Sequence, residues 1–276
     1  MNNHHHLLRV LKETSRTFYI PVTRLPDILK ETVAAAYLCM RAIDEIEDHS
    51  QLDTITKVNL LQRISLIFQT QSPMEDCSIE EFSMAFSEHT TILPEVTLRL
   101  GEWACYPPAT IAPRIWDAAA SMADRMALWV SRNWSIQTRA DLDGYTFSVA
   151  GAVGLLLCDI WAWFDGSQID RRFAIQFGRG LQAVNILRNR DEDLKRDVDF
   201  FPAGWSHEQM LGYAYNCLQE AKAEISHIPY QAFKYMVEIP LLLAEATLEV
   251  IKKGEEKLSR AAVIQIVQQA YSETIE

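Results

Sequence analysis

The sequence has no excess of basic residues. Its 276 residues include 26 lysines and arginines against 37 aspartates and glutamates, which gives a net charge of -11. A nucleic-acid backbone needs a basic surface on its protein partner, so we exclude nucleic acid as a partner. An acidic protein that handles an anionic small molecule needs local positive charge, from arginines or from a divalent metal ion.

The sequence has few cysteines and no visible secretion signal. The first residues lack the basic start and apolar core of such a signal, and His4, His5 and His6 are set aside from the functional argument. An odd number of widely spaced cysteines, mostly in apolar stretches, predicts free thiols in a reducing compartment, and therefore a cytoplasmic protein. The five cysteines are Cys39, Cys77, Cys105, Cys158 and Cys217.

Signals for β-strands, internal repeats and low-complexity tracts are also missing. No stretch alternates apolar and polar residues between turn residues, whereas helical periodicity continues along the chain. We therefore predict an all-α fold in one domain, residues 1–276, with residues 1–14 as a flexible N-terminus. Proline and glycine positions predict helices near 28–48, 55–70, 79–90, 94–105, 110–134, 140–163, 170–197, 206–225, 231–252 and 256–274.

The most apolar stretch, Phe147 to Phe164, is marginal in length for a membrane span. It also contains Asp159, and two glycines, Gly151 and Gly154, lie in its first half. We interpret it as a buried helix and expect no transmembrane segment.

The predicted helix 28–48 carries two parallel lines of residues. One is an apolar stripe at spacings of four and three, which predicts a face toward the core. It consists of Leu29, Val33, Ala36, Met40 and Ile43. The other line has Tyr37, Arg41, Asp44 and Asp48 at four-three-four spacing, with Glu47 beside it. Taken alone, such an acidic cluster is more typical of a solvated helix end, with Arg41 as an ordinary partner of Asp44 or Glu45.

A second polar line lies on the predicted helix 170–197. Gln182, Asn185, Asn189 and Glu192 share one face, with Asp193 beside them. Amides that interrupt an apolar helix would cost a few kcal/mol if they were buried without partners, so we expect this face to bind a ligand.

Two helix faces with oxygen ligands at i, i+3 and i+4 are suited to Mg²⁺, which prefers carboxylate, carbonyl and water oxygens. No spacing of cysteines and histidines indicates zinc. Arg41 and Arg188 adjoin the two faces, where a diphosphate held by metal needs additional positive charge. The expected ligand is a diphosphate.

These residues resemble the squalene/phytoene synthase family of head-to-head prenyl synthases. The resemblance covers about two thirds of the chain, in the family's order of motifs. The matching blocks are Ser15 to Phe18, Tyr37 to Asp48, Tyr145 to Gly154, Gln182 to Asp193 and Asp199 to Pro202.

The resemblance implies a single-domain bundle of about ten or more helices around a central apolar cavity, with the two acidic motifs facing each other at its mouth. It implies Mg²⁺ as cofactor and leaves NADPH undecided. It implies substrate contacts by Arg16, Tyr37, Arg41, Gln182, Asn185 and Arg188. The implied metal ligands are Asp44, Glu47, Asp48, Asn189, Glu192 and Asp193, with Glu45 in support. The implied catalytic residues are Arg41, Asp44, Asp48 and Tyr145. Of these, Tyr145 would lie near the reacting carbons.

A run of small residues in the third block has two interpretations. Ala150, Gly151, Ala152 and Gly154 would leave room for an isoprenoid chain, or they would let two helices pack closely. The sequence does not decide between them.

The second motif departs from the family pattern, which has an aspartate where this chain has Asn189. Arg190 adds positive charge, and Asp191 lies about 200° round the helix, so it cannot substitute on the same face. Three functions therefore stay open. They are head-to-head coupling of two prenyl diphosphates, action on a single prenyl diphosphate to give an alcohol or a cyclised terpene, and a non-catalytic lipid-binding scaffold. Peripheral membrane association for product release is compatible with the first.

Overall fold

The structure is a computed structural model that describes residues 3–72, 74, 77–228, 230–255 and 258–272, without the side chains of Asn3, Arg16, His227 and Ser272. None of the described residues forms a strand, which confirms the all-α prediction. Fourteen α-helices are found in these ranges. They are α1 (Asn3–Thr14), α2 (Arg16–Val22), α3 (Asp27–Glu47), α4 (Thr54–Thr70), α5 (Ile79–Ala85), α6 (Glu95–Leu98), α7 (Leu100–Ala104), α8 (Ala112–Ser131), α9 (Arg139–Thr146), α10 (Ala152–Asp165), α11 (Arg171–Leu194), α12 (His207–Glu224), α13 (Gln231–Lys252) and α14 (Arg260–Ser272).

The chain forms two compact units. The first comprises Met1–Asn133 and Asp159–Gly166, and the second comprises Trp134–Cys158 and Ser167–Glu276. The first acidic motif belongs to the first unit, while Tyr145 and the second motif belong to the second. The single domain and the central cavity stay predictions.

The N-terminal segment, expected to be flexible, forms helix α1 in the first unit. Leu7, Val10 and Leu11 are buried, as expected for apolar residues on one face of an amphipathic helix. The histidine run belongs to this helix. His4 Nδ1 lies 2.6 Å from a carboxylate oxygen of Glu31, and the ring of His6 stacks on another ring of the unit, that of Trp103, at 5.6 Å.

The apolar stripe predicted on α3 is buried along its whole length, which confirms its orientation toward the core. The helix starts directly after Pro26, whose fixed φ is compatible with a helix start, and Asp27 places a carboxylate in the first turn. The polar line that begins at Tyr37 therefore lies beside a well-packed face.

Two sequence expectations in the first unit need correction. The predicted helix 94–105 is divided at Arg99 into α6 and α7, and the helix expected to extend to residue 90 ends at Ala85. Not all cysteines are free thiols, because Cys77 and Cys105 form a disulfide with a Cα–Cα distance of 5.3 Å. Cysteine spacing in sequence does not report this proximity, which depends on how the segment before α5 returns to α7.

The predicted helix 140–163 consists of α9, a π-helical turn at Phe147–Gly151, and α10. Residues Arg139–Asp165 are long and apolar enough to cross a membrane, with a mean hydropathy of 1.7 and 44% of the most apolar stretch buried inside the protein. Core helices of soluble proteins share this composition, so length and hydropathy do not establish a membrane span. Leu156 and Ile160 are buried, as the sequence interpretation expected.

The small residues of this segment pack α10 closely against α11 in the second unit. A Cβ atom added at Gly154 would collide with the carbonyl oxygen of Ala174, and one added at Gly178 would collide with that of Ala150. These contacts involve backbone atoms, which cannot move aside as a flexible side chain can. At Gly154 the structure therefore favours close helix packing over room for a ligand.

Candidate active site

The last turn of α3 brings three carboxylates together. Oxygen atoms of Asp44, Glu47 and Asp48 all lie within 4.8 Å of one another, and no second group of three metal-ligating acidic, His or Cys side chains is found in the described part of the chain. Glu47 is only 2% exposed. Like charges at this separation repel each other strongly in a partly buried site, so the arrangement is suited to a divalent cation.

Arg41 lies one turn before these carboxylates and binds two of the acidic residues on the helix. Its Nη1 donates to Asp44 Oδ2 at 2.9 Å, and its Nε donates to Glu45 Oε1 at 2.9 Å. Glu45, expected to support the metal site, is thus engaged by the guanidinium. Asp44 is shared between Arg41 and the acidic group.

The pKa of Asp44 reflects this surrounding. Burial, together with the nearby Asp48 carboxylate, raises it from 3.8 to about 7, although Arg41 acts in the opposite direction. The protonated acid is therefore favoured below about pH 7 in the metal-free protein. A bound cation stabilises the ionised form, so the residues present fit a metal ion of the Mg²⁺ type.

Lys57 is a residue of this region that the sequence argument did not identify. It is 7% exposed, and its Nζ donates to the main-chain carbonyl of Glu47 at 2.6 Å. An ammonium at this carbonyl stabilises the carboxyl end of α3 through the helix dipole. A signal was present in the sequence, because Lys57 precedes Leu60, Leu61 and Ile64 on the apolar face of α4.

Tyr37, the next residue up the polar line, is held by the first block of the family resemblance. Its ring lies 5.7 Å from that of Phe18. Burial raises the pKa of its hydroxyl, whereas a side-chain hydrogen bond with Ser15 lowers it. Ser15 also caps α2 by accepting the Phe18 amide. The side chain of Arg16 lies outside the described residues, so its contact with a diphosphate stays a prediction.

The polar face of α11 is connected by its own side chains. Asn185 Oδ1 accepts hydrogen bonds from Arg188 Nη2 at 2.7 Å and from Asn189 Nδ2 at 3.1 Å. Arg188 Nε donates in turn to Asn189 Oδ1 at 3.1 Å. The structure brings these three residues together on one helix, with Gln182 half-buried one turn earlier. These side chains therefore satisfy part of their hydrogen-bonding capacity with one another, and not only with a ligand.

The two acidic residues that follow on α11, Glu192 and Asp193, differ in burial and in hydrogen-bond partners. Asp193 is 8% exposed and accepts a hydrogen bond from Arg196 Nη2 at 2.5 Å, whereas Glu192 is exposed. Arg190, expected to oppose a cation, donates instead to Asp199 through Nη2 at 2.8 Å and Nε at 3.3 Å. The metal-binding roles of Asn189, Glu192 and Asp193 stay predictions.

Tyr145 lies in the last turn of α9, immediately before the π-helical turn. It is 3% exposed, and its ring stacks on Phe200 with centroids 4.6 Å apart and an interplanar angle of 19°. Tyr213 was missed by the sequence argument. Its hydroxyl donates to Asp143 Oδ1 at 2.8 Å and lies 3.2 Å from the hydroxyl of Thr146. π-Helical turns often occur at functional sites, and here one follows a tightly held aromatic residue.

The all-α fold, with an acidic group beside an arginine on one helix, agrees with the isoprenoid-synthase type that the sequence resemblance implies. A family model described as squalene/phytoene synthase matches residues 11–210, and the chain belongs to this family.

Curated relatives agree with this assignment. A squalene synthase from Dictyostelium discoideum is 28% identical over 70% of this chain and 45% of its own length. A squalene synthase from Schizosaccharomyces pombe is 23% identical over 94% of this chain and 63% of its own length. The chain thus spans about half the length of these relatives.

Two solved structures share the fold. The first is a TcSQS complex with a bound ligand, with a TM-score of 0.77 and 19% identity over 97% of this chain and 85% of the other. The second is a dehydrosqualene synthase in complex with a ligand, with a TM-score of 0.67 and 18% identity over 98% of this chain and 95% of the other. At these identities the likeness concerns the fold alone.

Proposed function

We propose that the chain is a Mg²⁺-dependent prenyltransferase that joins two prenyl diphosphates head to head. Farnesyl diphosphate is the expected substrate, and the product is squalene-like or of the presqualene type. The observation that carries the proposal is the group formed by Asp44, Glu47 and Asp48, whose oxygens lie within 4.8 Å of one another. Family membership supplies the reaction class.

The carboxylates of this group would hold the metal ion, which supplies positive charge to a departing diphosphate. Arg41 is proposed to add positive charge to the same anion, and its contact with Asp44 on the adjoining turn supports this role. Binding of a cation would weaken the Arg41–Asp44 ion pair and make Nη1 of the guanidinium available, while Nε stays bonded to Glu45. Arg16 and Arg188 are proposed as further diphosphate contacts.

Tyr145 is the proposed catalytic aromatic residue. Departure of a diphosphate leaves an allylic cation, which a ring face stabilises and which water would destroy. The deep burial of Tyr145 and its stacking on Phe200 support a role in a water-poor site. Tyr37, Gln182 and Asn185 are proposed to line the substrate site. The resemblance leaves the final step, hydride delivery from NADPH or loss of a proton, undecided.

A second candidate is an enzyme that ionises one prenyl diphosphate and releases an alcohol or a cyclised terpene. Two observations favour it. Asn189 Oδ1 already accepts a hydrogen bond from Arg188 Nε, and Asp193 Oδ1 accepts one from Arg196 Nη2, so a metal ion at the second motif would have fewer free oxygens. Weak binding there would slow the second ionisation of the two-step reaction.

Incubation with farnesyl diphosphate and Mg²⁺, followed by organic extraction, tests these functions. A thirty-carbon product supports head-to-head coupling, and a fifteen-carbon product supports the second candidate. Recovery of unchanged farnesyl diphosphate would refute both and leave the lipid-binding scaffold, which retention of a farnesyl analogue would support. Repeating the incubation with NADPH decides whether the thirty-carbon product needs a reductant.

The location of the protein is a separate proposal. We expect it to act in the cytoplasm, with peripheral membrane association for release of an apolar product. The Cys77–Cys105 disulfide weakens the inference of a reducing compartment, because only Cys39, Cys158 and Cys217 lie outside a disulfide among the described cysteines. Fractionation of cells, with and without a salt wash of the membranes, tests the proposal.

A further inference from the structure

Arg190 is a residue of the second motif to which the proposed function assigns no role. It meets the segment after α11 in two ways. Its guanidinium makes a bidentate contact with the Asp199 carboxylate, donating from Nη2 at 2.8 Å and from Nε at 3.3 Å. The same guanidinium lies over the ring of Phe201, 3.7 Å from its centroid. A planar cation that is both paired and stacked is held in one orientation.

Asp199 extends this contact into the backbone. Its Oδ1 also accepts the main-chain amide of Phe201 at 3.0 Å. The segment is fixed at both ends as well, because the Val198 amide donates to the Asp193 carbonyl at 3.1 Å and the Ala203 amide donates to the Gln137 carbonyl at 3.2 Å. Arg190 therefore contacts the middle of the segment 198–203, whose two ends are hydrogen-bonded to other parts of the second unit.

Phe200 lies between the two residues that contact Arg190 and points to a different partner. Its ring is buried and stacks on Tyr145 with centroids 4.6 Å apart. Whatever fixes Asp199 and Phe201 therefore also fixes the ring that covers Tyr145. The contacts run without a break from the second acidic motif to the proposed catalytic tyrosine.

We propose that Arg190 is a positioning residue that acts through Asp199 and Phe200 to hold the ring of Tyr145. The proposal rests on the proposed function for its catalytic consequence. It accounts for a positive charge in an acidic motif, because the charge is directed to Asp199. The alternative is a long-range electrostatic role, in which the charge of Arg190 sets the affinity of the second motif for a cation.

Lysine separates the two roles, because it retains the charge but lacks the fork and the planar face. If Arg190 positions Tyr145, Arg190→Lys and Arg190→Gln should both lower kcat by about tenfold, as expected for a misplaced catalytic group. KM for farnesyl diphosphate and the Mg²⁺ concentration for half-maximal activity should stay within about twofold of wild type. Product ratios should shift in the same direction as in Tyr145→Phe.

The matched control is Arg172→Gln on the same helix, where the arginine side chain is 90% exposed and pairs with Asp170 at 3.5 Å. This variant should keep wild-type kinetics. A double-mutant cycle with Asp199→Asn should be strongly non-additive, since either substitution alone breaks the same contact.

Amide hydrogen exchange provides a measurement that does not depend on turnover. Arg190→Lys and Arg190→Gln should speed exchange in residues 198–203, while exchange in the rest of α11 stays as in wild type. If wild type forms no prenyl product, the proposed function fails, yet the exchange measurement still tests the link from Arg190 to this segment. Unchanged exchange would overturn that link. A wild-type kcat in Arg190→Lys, with an altered Mg²⁺ requirement in Arg190→Gln, would overturn the catalytic consequence.

Discussion

The carboxyl ends of α3 and α11 carry acidic residues at similar helical spacing, but their side chains have different partners. At α3, three carboxylates converge and one of them has a pKa raised to about 7. At α11, Asp193 is bound to Arg196 and Asn189 replaces a carboxylate with an amide. Three carboxylates thus share one site at the end of α3, whereas the corresponding positions of α11 hold an amide and an acid paired with an arginine.

Equal spacing therefore does not produce equal sites. Residues at i, i+3 and i+4 share a face in both helices, yet the electrostatic potential depends on which cations lie within about 4 Å. We therefore expect the α3 end to bind Mg²⁺ more tightly than the α11 end.

The largest effect is expected at α3. Asp48→Asn should reduce turnover by orders of magnitude, because it removes one charged ligand from the group of three. Far-UV circular dichroism should be almost intact, since Asp48 is exposed at the end of the helix. Glu192→Gln on α11 should reduce turnover by a clearly smaller factor. Near-normal turnover of Asp48→Asn would show that the metal assignment on α3 is wrong.

A smaller but diagnostic effect is expected at α11. Asn189→Asp restores a carboxylate, so it should lower the Mg²⁺ concentration for half-maximal activity and move products toward thirty-carbon hydrocarbon. A Mg²⁺ titration of both proteins at saturating farnesyl diphosphate measures this change. If Asn189 instead contacts the diphosphate directly, the added charge should raise KM and leave the Mg²⁺ requirement as it is.

Protonation provides a third comparison of the two ends. The pKa of Asp44 is about 7 in the metal-free folded protein. The ordinary value of 3.8 applies to the unfolded chain. The folded state then binds more protons between these values, so the free energy of unfolding should fall as pH rises from about 4 to 7. Affinity for Mg²⁺ should rise over the upper part of this range, because the cation needs the ionised carboxylate.

Denaturant unfolding of the metal-free protein at pH 5 and pH 7, with Asp44→Asn as the control, measures this contribution. The pH dependence should be weaker in Asp44→Asn, and its free energy of unfolding at pH 7 should exceed that of wild type by about 1 kcal/mol or more. The same pH dependence in both proteins would place the unusual pKa elsewhere.

The smallest effect on the fold is expected in Tyr145→Phe, which removes only a hydroxyl. The stacking on Phe200 does not depend on that hydroxyl, so the thermal midpoint should change little. Product ratio or rate should change if the phenol acts on the reacting carbons. Identical products and kinetics would assign Tyr145 to packing alone.

Much of the fold and the first motif could be predicted because they depend on local geometry. The apolar stripe of α3 and the line from Tyr37 to Asp48 follow from 3.6 residues per turn, and both are found in the structure. The order of motif blocks predicted the family, which the match over residues 11–210 confirms.

Other features could not be predicted because they arise where distant segments return to a helix. Helix α1 was obscured by its histidine run, and the Cys77–Cys105 pair joins residues 28 positions apart. The small residue at Gly154 permits close packing against α11, a helix whose position the local sequence does not define.

Most of the long helices, and the faces that carry oxygen ligands, follow from the sequence alone, because both depend on neighbours within four residues. Which charges those ligands meet depends on the tertiary structure. Lys57 reaches the end of α3 across ten residues, and Arg190 turns toward Asp199, nine residues further on. Such contacts depend on the path of the chain between helices, and in a partly buried site they determine whether a carboxylate is free to bind a cation.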